Sequence, residues 1–156
     1  MADRELFTGN NGYKIHCQDL TTEGNVYLPT SGGTPSSLNY YEEAPFSYAV
    51  GGALVSLNLT GTFARINGLV VMNFTALSGS SAGAYTLFMA AASVPVRFRP
   101  SVDVYAGCYI MSNSAVTIGT VKIQSDGAIV FYSGASSNFS ASGNAGVYKC
   151  SITYAM

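Results

Sequence analysis

Few side chains in this sequence are of the kinds that move protons or attack carbon. His16 is the single histidine among 156 residues, so a Ser-His-Asp or Cys-His arrangement would have to centre on it. It stands beside Cys17 in a stretch too poor in apolar residues to build a rigid pocket, and reads as a solvated or subunit-interface histidine. Glu42 and Glu43 resemble a carboxylate pair, but neighbours along an extended chain point to opposite sides. They are expected as a solvated edge or as ion-pair partners of Arg97 or Arg99. Beyond them the acids are Asp103 and Asp126, and Asp126 is accounted for by the turn Ser125-Asp126-Gly127, which leaves no glycosidase-type pair. Cys17, Cys108 and Cys150 are odd in number and lack metal-ligand spacing. They are expected as free, mostly buried thiols, with a Cys108 to Cys150 bridge open if their strands are neighbours. The expectation is a protein that is not an enzyme and uses no metal or cofactor.

Binding is the chemistry left. The chain has 11 tyrosines and no tryptophan, set among Ser, Gly and Asn. That mixture supplies aromatic area and adaptable hydrogen bonds at little entropic cost, and it suits sugars as well as proteins. Tyr132, Asn138, Phe139 and Asn144 border or occupy a long polar stretch, Ser133 to Gly146, and are the candidate ligand- or receptor-binding residues. Ser78 to Gly83 is expected as a second exposed loop. Three matches to the glycosylation acceptor pattern, at Asn58, Asn73 and Asn138, are discounted, because a chain rich in Asn, Ser and Thr makes them by chance and no signal peptide is recognisable at Met1-Ala-Asp-Arg-Glu5.

The elements that must carry these residues are strands. Leu54 to Thr60 alternates apolar with polar, Gly61 ends it, and Asn67-Gly68 is the strongest two-residue hairpin signal. Leu69 to Ala76 returns, and Tyr85 to Ala90 is the next strand, bounded by Pro95. Val94 to Pro100 holds two prolines and is expected as an extended connection crossing between sheets. Val102 to Met111, Val116 to Gln124, Ala128 to Tyr132 and Val147 to Tyr154 complete about eight strands. The expected fold is all-β, an antiparallel β-sandwich of jelly-roll type. It occupies residues 46–156 behind an extended N-terminal connector, residues 1–45, which hold six of the eight acidic residues and three of the five prolines.

Charge is scarce: 10% of residues, against about 25% in an average domain. Either the surface is clothed in neutral hydroxyls and amides, or strand faces are buried against other copies of the chain. Net charge is −1, with no basic stripe to displace counterions, which excludes nucleic acid as a partner. No apolar run approaches the roughly 20 residues of a membrane span.

The order of several short pieces resembles the head domains of viral and bacteriophage fibres. "ALVSLNLTGTFARINGLVVMNFTAL" is similar to their paired early strands, "SVPVRFRPSVDVYAG" to a Pro-x-x-Phe-Arg-Pro crossing, "GTVKIQSDGAIVFY" to a Gly-x-Val-x-Ile hairpin, and "GVYKCSITYAM" to the terminal strand. "EGNVYLPTSGGTPSSLNYYEE" looks like a shaft-to-head junction. The resemblance covers residues 25–156. It implies a homotrimer on the virion surface, attachment to a host cell-surface protein or glycan, and contact with other virion or fibre proteins through the N-terminal segment. Two other readings stay open: a capsid or fibre cement protein, and a bacterial surface adhesin with the same head.

Overall fold

A computed structural model describes residues 41–156 and, upstream, the backbone of two short strands, β1 (Val26–Leu28) and β2 (Ser36–Leu38). The chain divides into two compact units, residues 1–37 and 38–156. β1 and β2 pair with each other as a two-stranded sheet. His16, Cys17 and most of the expected connector lie outside the described residues.

The second unit is a sandwich of two antiparallel sheets. One has four strands: β3 (Tyr41–Ala49), β5 (Asn58–Ile66), β6 (Leu69–Phe74) and β13 (Cys150–Ala155), in the order β13-β6-β5-β3. The other has seven: β4 (Gly51–Gly52), β7 (Leu77–Ser80), β8 (Leu87–Met89), β9 (Val104–Ser112), β10 (Ala115–Ile123), β11 (Ile129–Tyr132) and β12 (Asn144–Val147). Their order is β4-β8-β11-β10-β9-β12-β7. The division expected at residue 45 falls inside β3, which pairs with β5 from Tyr41 to Ala49.

Period-two burial builds the core. On β6, Val70, Met72 and Phe74 are buried while Leu69, Val71 and Asn73 between them are not. Facing strands of the second sheet bury Ile110, Val121, Ile123, Ile129 and Phe131. Phe74 meets Phe131 edge-on at 5.5 Å between ring centres, joining the two sheets. Burying each such ring contributes roughly 1.5–3 kcal/mol, so a handful of phenylalanines dominates the adhesion of the layers.

The two strong turns form where the residues demand them. Asn67 takes positive φ in the β5–β6 hairpin, and Gly127 does so in the β10–β11 turn. Elsewhere the structure corrects the expectation. Gly61 does not end a strand; β5 runs through it, opposite Phe46. A β-carbon there would run into the Asn73 carbonyl oxygen of β6 and stand 2.5 Å from the Phe46 ring, so the glycine makes room for both the neighbouring backbone and a core aromatic. Leu54 is buried ahead of β5 in irregular backbone rather than on a strand.

Val94 to Pro100 is not extended throughout. Val96–Phe98 forms a 3-10 turn, with Phe98 N donating to Pro95 O at 2.8 Å, and the segment links β8 and β9 of the same sheet instead of crossing between sheets. Ser78 to Gly83 begins as β7, and the long stretch 133–146 ends in β12. The run Val147 to Tyr154 is two strands in different sheets, β12 and β13. The count among the described residues of the sandwich is therefore eleven strands rather than about eight: the runs on either side of Gly61 are one strand, Val147 to Tyr154 is divided between two, and β3, β4 and β7 lie in stretches where no strand is expected.

Candidate functional site

Three loops meet at one end of the sandwich, and their sequences explain how. The β9–β10 connection is a two-residue turn, Asn113-Ser114, with Ser112 paired to Ala115 and φ of 53° and 61° at its centre. Positive φ at both central positions matches the twist of a hairpin, and Asn tolerates it better than most residues. The long loop after β11 returns against this turn. At Gly143, φ is 71° and a β-carbon would lie 2.8 Å from the Asn113 backbone, so this approach requires glycine.

Hydrogen bonds tie the loops to one another. Ser81 Oγ donates to Ser140 O at 2.6 Å, and Ser81 N donates to Gly143 O at 2.9 Å. Ser140 N donates to Ser112 Oγ at 3.0 Å, and Ser142 Oγ to Asn113 Oδ1 at 3.2 Å. Asn144 N donates to Ser114 Oγ, while Ser114 N donates to Asn144 O. Asn138 Nδ2 donates to Ala84 O at 2.9 Å. The outcome is a surface of hydroxyls and amides held by its own backbone, with no charged side chain from Gly127 to Tyr148.

The four candidate residues separate. Asn138 and Asn144 are exposed at this end, as a binding role requires. Tyr132 closes β11 opposite Thr120; with Phe131 turned into the core, it faces outward on the seven-stranded sheet, half-buried. Phe139 is corrected: it is 1% exposed and belongs to the core cluster. A long stretch of small polar residues has little else apolar to fasten it, so its one phenylalanine goes inward. Phe139 N also donates to Tyr85 O, which brings in a residue that the sequence did not single out. Tyr85 is 60% exposed, with its ring laid against Gly83. A glycine two residues before an aromatic in a polar loop was the available signal.

Several charged groups elsewhere are engaged within the chain. Asp103 meets Lys122 at 2.8 Å and accepts from Ser125 N; these contacts hold its carboxyl below the usual range. Asp126 accepts from Ala128 N inside its turn. Glu42 pairs with Arg97, one of the two partners expected for it. Cys108 and Cys150 are free thiols. Burial, with Cys150 nearby, pushes the Cys108 thiol up to about 12, which keeps it protonated and unreactive at neutral pH. Among the described residues no group of three His, Cys, Asp or Glu side chains could hold a metal, and no helix is long and apolar enough to cross a membrane.

A pocket of about 110 Å³ opens beside β7 and β12, lined by Ala76, Leu77, Ser78, Met111, Val147 and Tyr148. Ligand pockets run to roughly 300–1,000 Å³, so this one is too small to enclose a sugar.

No family model and no curated protein matches the chain. Among solved structures, the chain is similar to the reovirus attachment protein sigma1 in complex with α-2,3-sialyllactose, at TM-score 0.46 and 11% identity over 88% of this chain and 98% of that one.

Proposed function

We propose that this chain is the non-enzymatic head of a viral or phage fibre, attaching to a host cell-surface glycan or protein through the loop end of its sandwich. The observation that carries the reading is the cross-tied, charge-free cluster of Ser81, Asn113, Ser114, Asn138, Ser140 and Asn144. Groups fixed before a ligand arrives lose little entropy on binding, so even a shallow polar surface can hold one. Tyr85 adds an aromatic face beside them, suited to the apolar side of a sugar ring. The order of motifs that resembles fibre heads supports the same role, and with it a homotrimer at the virion surface joined to other virion proteins through its N-terminal segment.

The test is a glycan array and a host-cell binding assay with the full chain, beside Tyr85→Ala. Binding that Tyr85→Ala weakens about tenfold or more, as a lost central aromatic contact should, supports attachment. Absence of binding, together with normal adsorption by particles lacking the protein, would overturn it in favour of a cement protein.

A further inference from the structure

Cys108 and Cys150 stand on different sheets, at a corner where the chain passes from one sheet into the other. Val147 ends β12 paired with Ile110 of β9, and Cys150 begins β13 opposite Phe74 of the four-stranded sheet. Only Tyr148 and Lys149 lie between them, and Tyr148 N still donates to Tyr109 O at 3.0 Å. That bond holds the chain just before Cys150 against the residue next to Cys108. Accordingly, α-carbons of β13 come within 8 Å of β9. Both thiols turn inward. Cys108 is buried between exposed Gly107 and Tyr109, while Cys150 shares the face of buried Ile152 and Tyr154 and packs on the core. Cys150 is also near enough for its charge to raise the Cys108 thiol.

We propose that Cys108 and Cys150 are a redox-controlled staple, two free thiols in a reducing medium and a disulfide joining the two sheets in an oxidising one. Packed sheets lie about 10 Å apart, beyond the roughly 4.4–6.8 Å between α-carbons that a disulfide spans. At this corner the bond from Tyr148 to Tyr109 draws the two layers together. Cys150 is the entry point, since it is half-buried whereas Cys108 is 6% exposed. The Cys150 thiolate attacks one sulfur of a small-molecule disulfide such as oxidised glutathione, and the first glutathione leaves, taking up the proton that Cys150 gave. Cys108 then attacks the Cys150 sulfur of this mixed disulfide, and the second glutathione leaves with the Cys108 proton. Two protein thiols are oxidised, and one glutathione disulfide is reduced to two thiols. The new bond closes a loop of roughly forty residues, long enough to remove substantial freedom from the unfolded chain. That loop contains β10, β11 and β12, and with them Asn113, Ser140 and Asn144 of the loop end. Such a pair stays open in a reducing cytosol and closes outside it, whatever the loop end binds.

The experiment starts from the full chain purified under reductant and incubates it with oxidised glutathione at about pH 8.5 for hours, because buried thiols react slowly. Digestion without reductant and mass spectrometry should then show a Cys108–Cys150 linked peptide, from protein two hydrogens lighter and free of glutathione. The thermal midpoint should rise by about 5–15 °C and return on adding dithiothreitol. Cys150→Ser should show neither the linkage nor the shift, and Cys108→Ala should stop at a glutathione adduct on Cys150. The oxidised and reduced wild-type chains carry the comparison, so it stands even where a variant folds poorly. Thiols recovered unlinked, linkage chiefly to Cys17, or a linked protein that melts no higher than the reduced one overturns the proposal.

Discussion

The hydroxyl of Tyr154, near the chain's end, donates to the carbonyl of Phe98 at 2.6 Å, fastening the last strand to the 3-10 turn between β8 and β9. The turn is held from other sides too. Phe98 stacks on Phe63 at 4.9 Å, Arg65 donates to Arg97 O at 2.9 Å, and Arg97 pairs with Glu42. A segment with two prolines, unable to join a ladder, thus packs against the four-stranded sheet through side chains and a single buried bond. Tyr154→Phe keeps the ring and removes the donor. It should cost about 1–3 kcal/mol, the penalty of an unpaired buried carbonyl, read as a lower urea midpoint with unchanged slope.

Alkaline pH should destabilise the fold in a definite window. Burial raises the Tyr154 hydroxyl and the Cys150 thiol, and lifts the Cys108 thiol from 9.0 to about 12. A raised folded value means that the unfolded chain loses its protons first. Stability is therefore fully present below the unfolded thiol value and declines as pH rises through 9 toward 12. The urea midpoint should hold steady from neutrality to about pH 8 and fall above it. Cys108→Ala should make that fall shallower; a slope unchanged in this variant would show that the thiol is not a contributor.

Gly143→Ala tests whether the loop end depends on close backbone approach. The substitution places a β-carbon 2.8 Å from the Asn113 backbone at a φ of 71°, a conformation that L side chains rarely adopt. A cost of about 1–3 kcal/mol is expected from the strain alone. Because the displaced loop also carries Ser140, Ser142 and Asn144, ligand binding should fall by more than the loss of folded protein accounts for. Thermal melts and binding titrations on one preparation separate these effects.

How far the fold and site were legible follows from the kind of signal each residue sends. Asn67-Gly68 and Ser125-Asp126-Gly127 were readable because they meet a local backbone demand, positive φ in a tight turn. Gly61 sends the same letter for another reason, the Phe46 ring packed against it from the neighbouring strand, and that contact is absent from any local window. Val147 to Tyr154 reads as one strand because the apolar residues recur across the switch between sheets. Tyr148 N there donates to Tyr109 O, and only the pairing of Val147 with β9 and of Cys150 with β6 shows the break. The all-β class was legible since it depends on alternation summed over many residues. Composition singles out Asn138 and Asn144 as candidates, but the ties to Ser81, Ser112 and Asn113 join residues about thirty to sixty positions apart, and contacts at that separation have no composition or spacing to announce them.

Asn138 and Phe139 are neighbours with opposite fates, and substituting each tells core from site. Asn138 is exposed and makes one bond, to Ala84 O, on the surface. Asn138→Ala should leave the thermal midpoint nearly unchanged, a loss of about 0.5–1.5 kcal/mol at most, while lowering adhesion. Phe139 fills core space as one of the largest fully buried side chains. Phe139→Ala should cost about 3–5 kcal/mol, from lost transfer energy plus the cavity left behind. That is a large fraction of the stability of a domain this size, and the loop anchored by the ring should open before the sheets do. Hydrogen exchange would show it: in Phe139→Ala the amides of Ser140, Ser142 and Asn144 should lose protection, while those of β10 and β11 keep theirs under native conditions. Equal loss of protection in the strands would mean that the ring holds the sandwich together as a whole and does not act chiefly as the anchor of the loop.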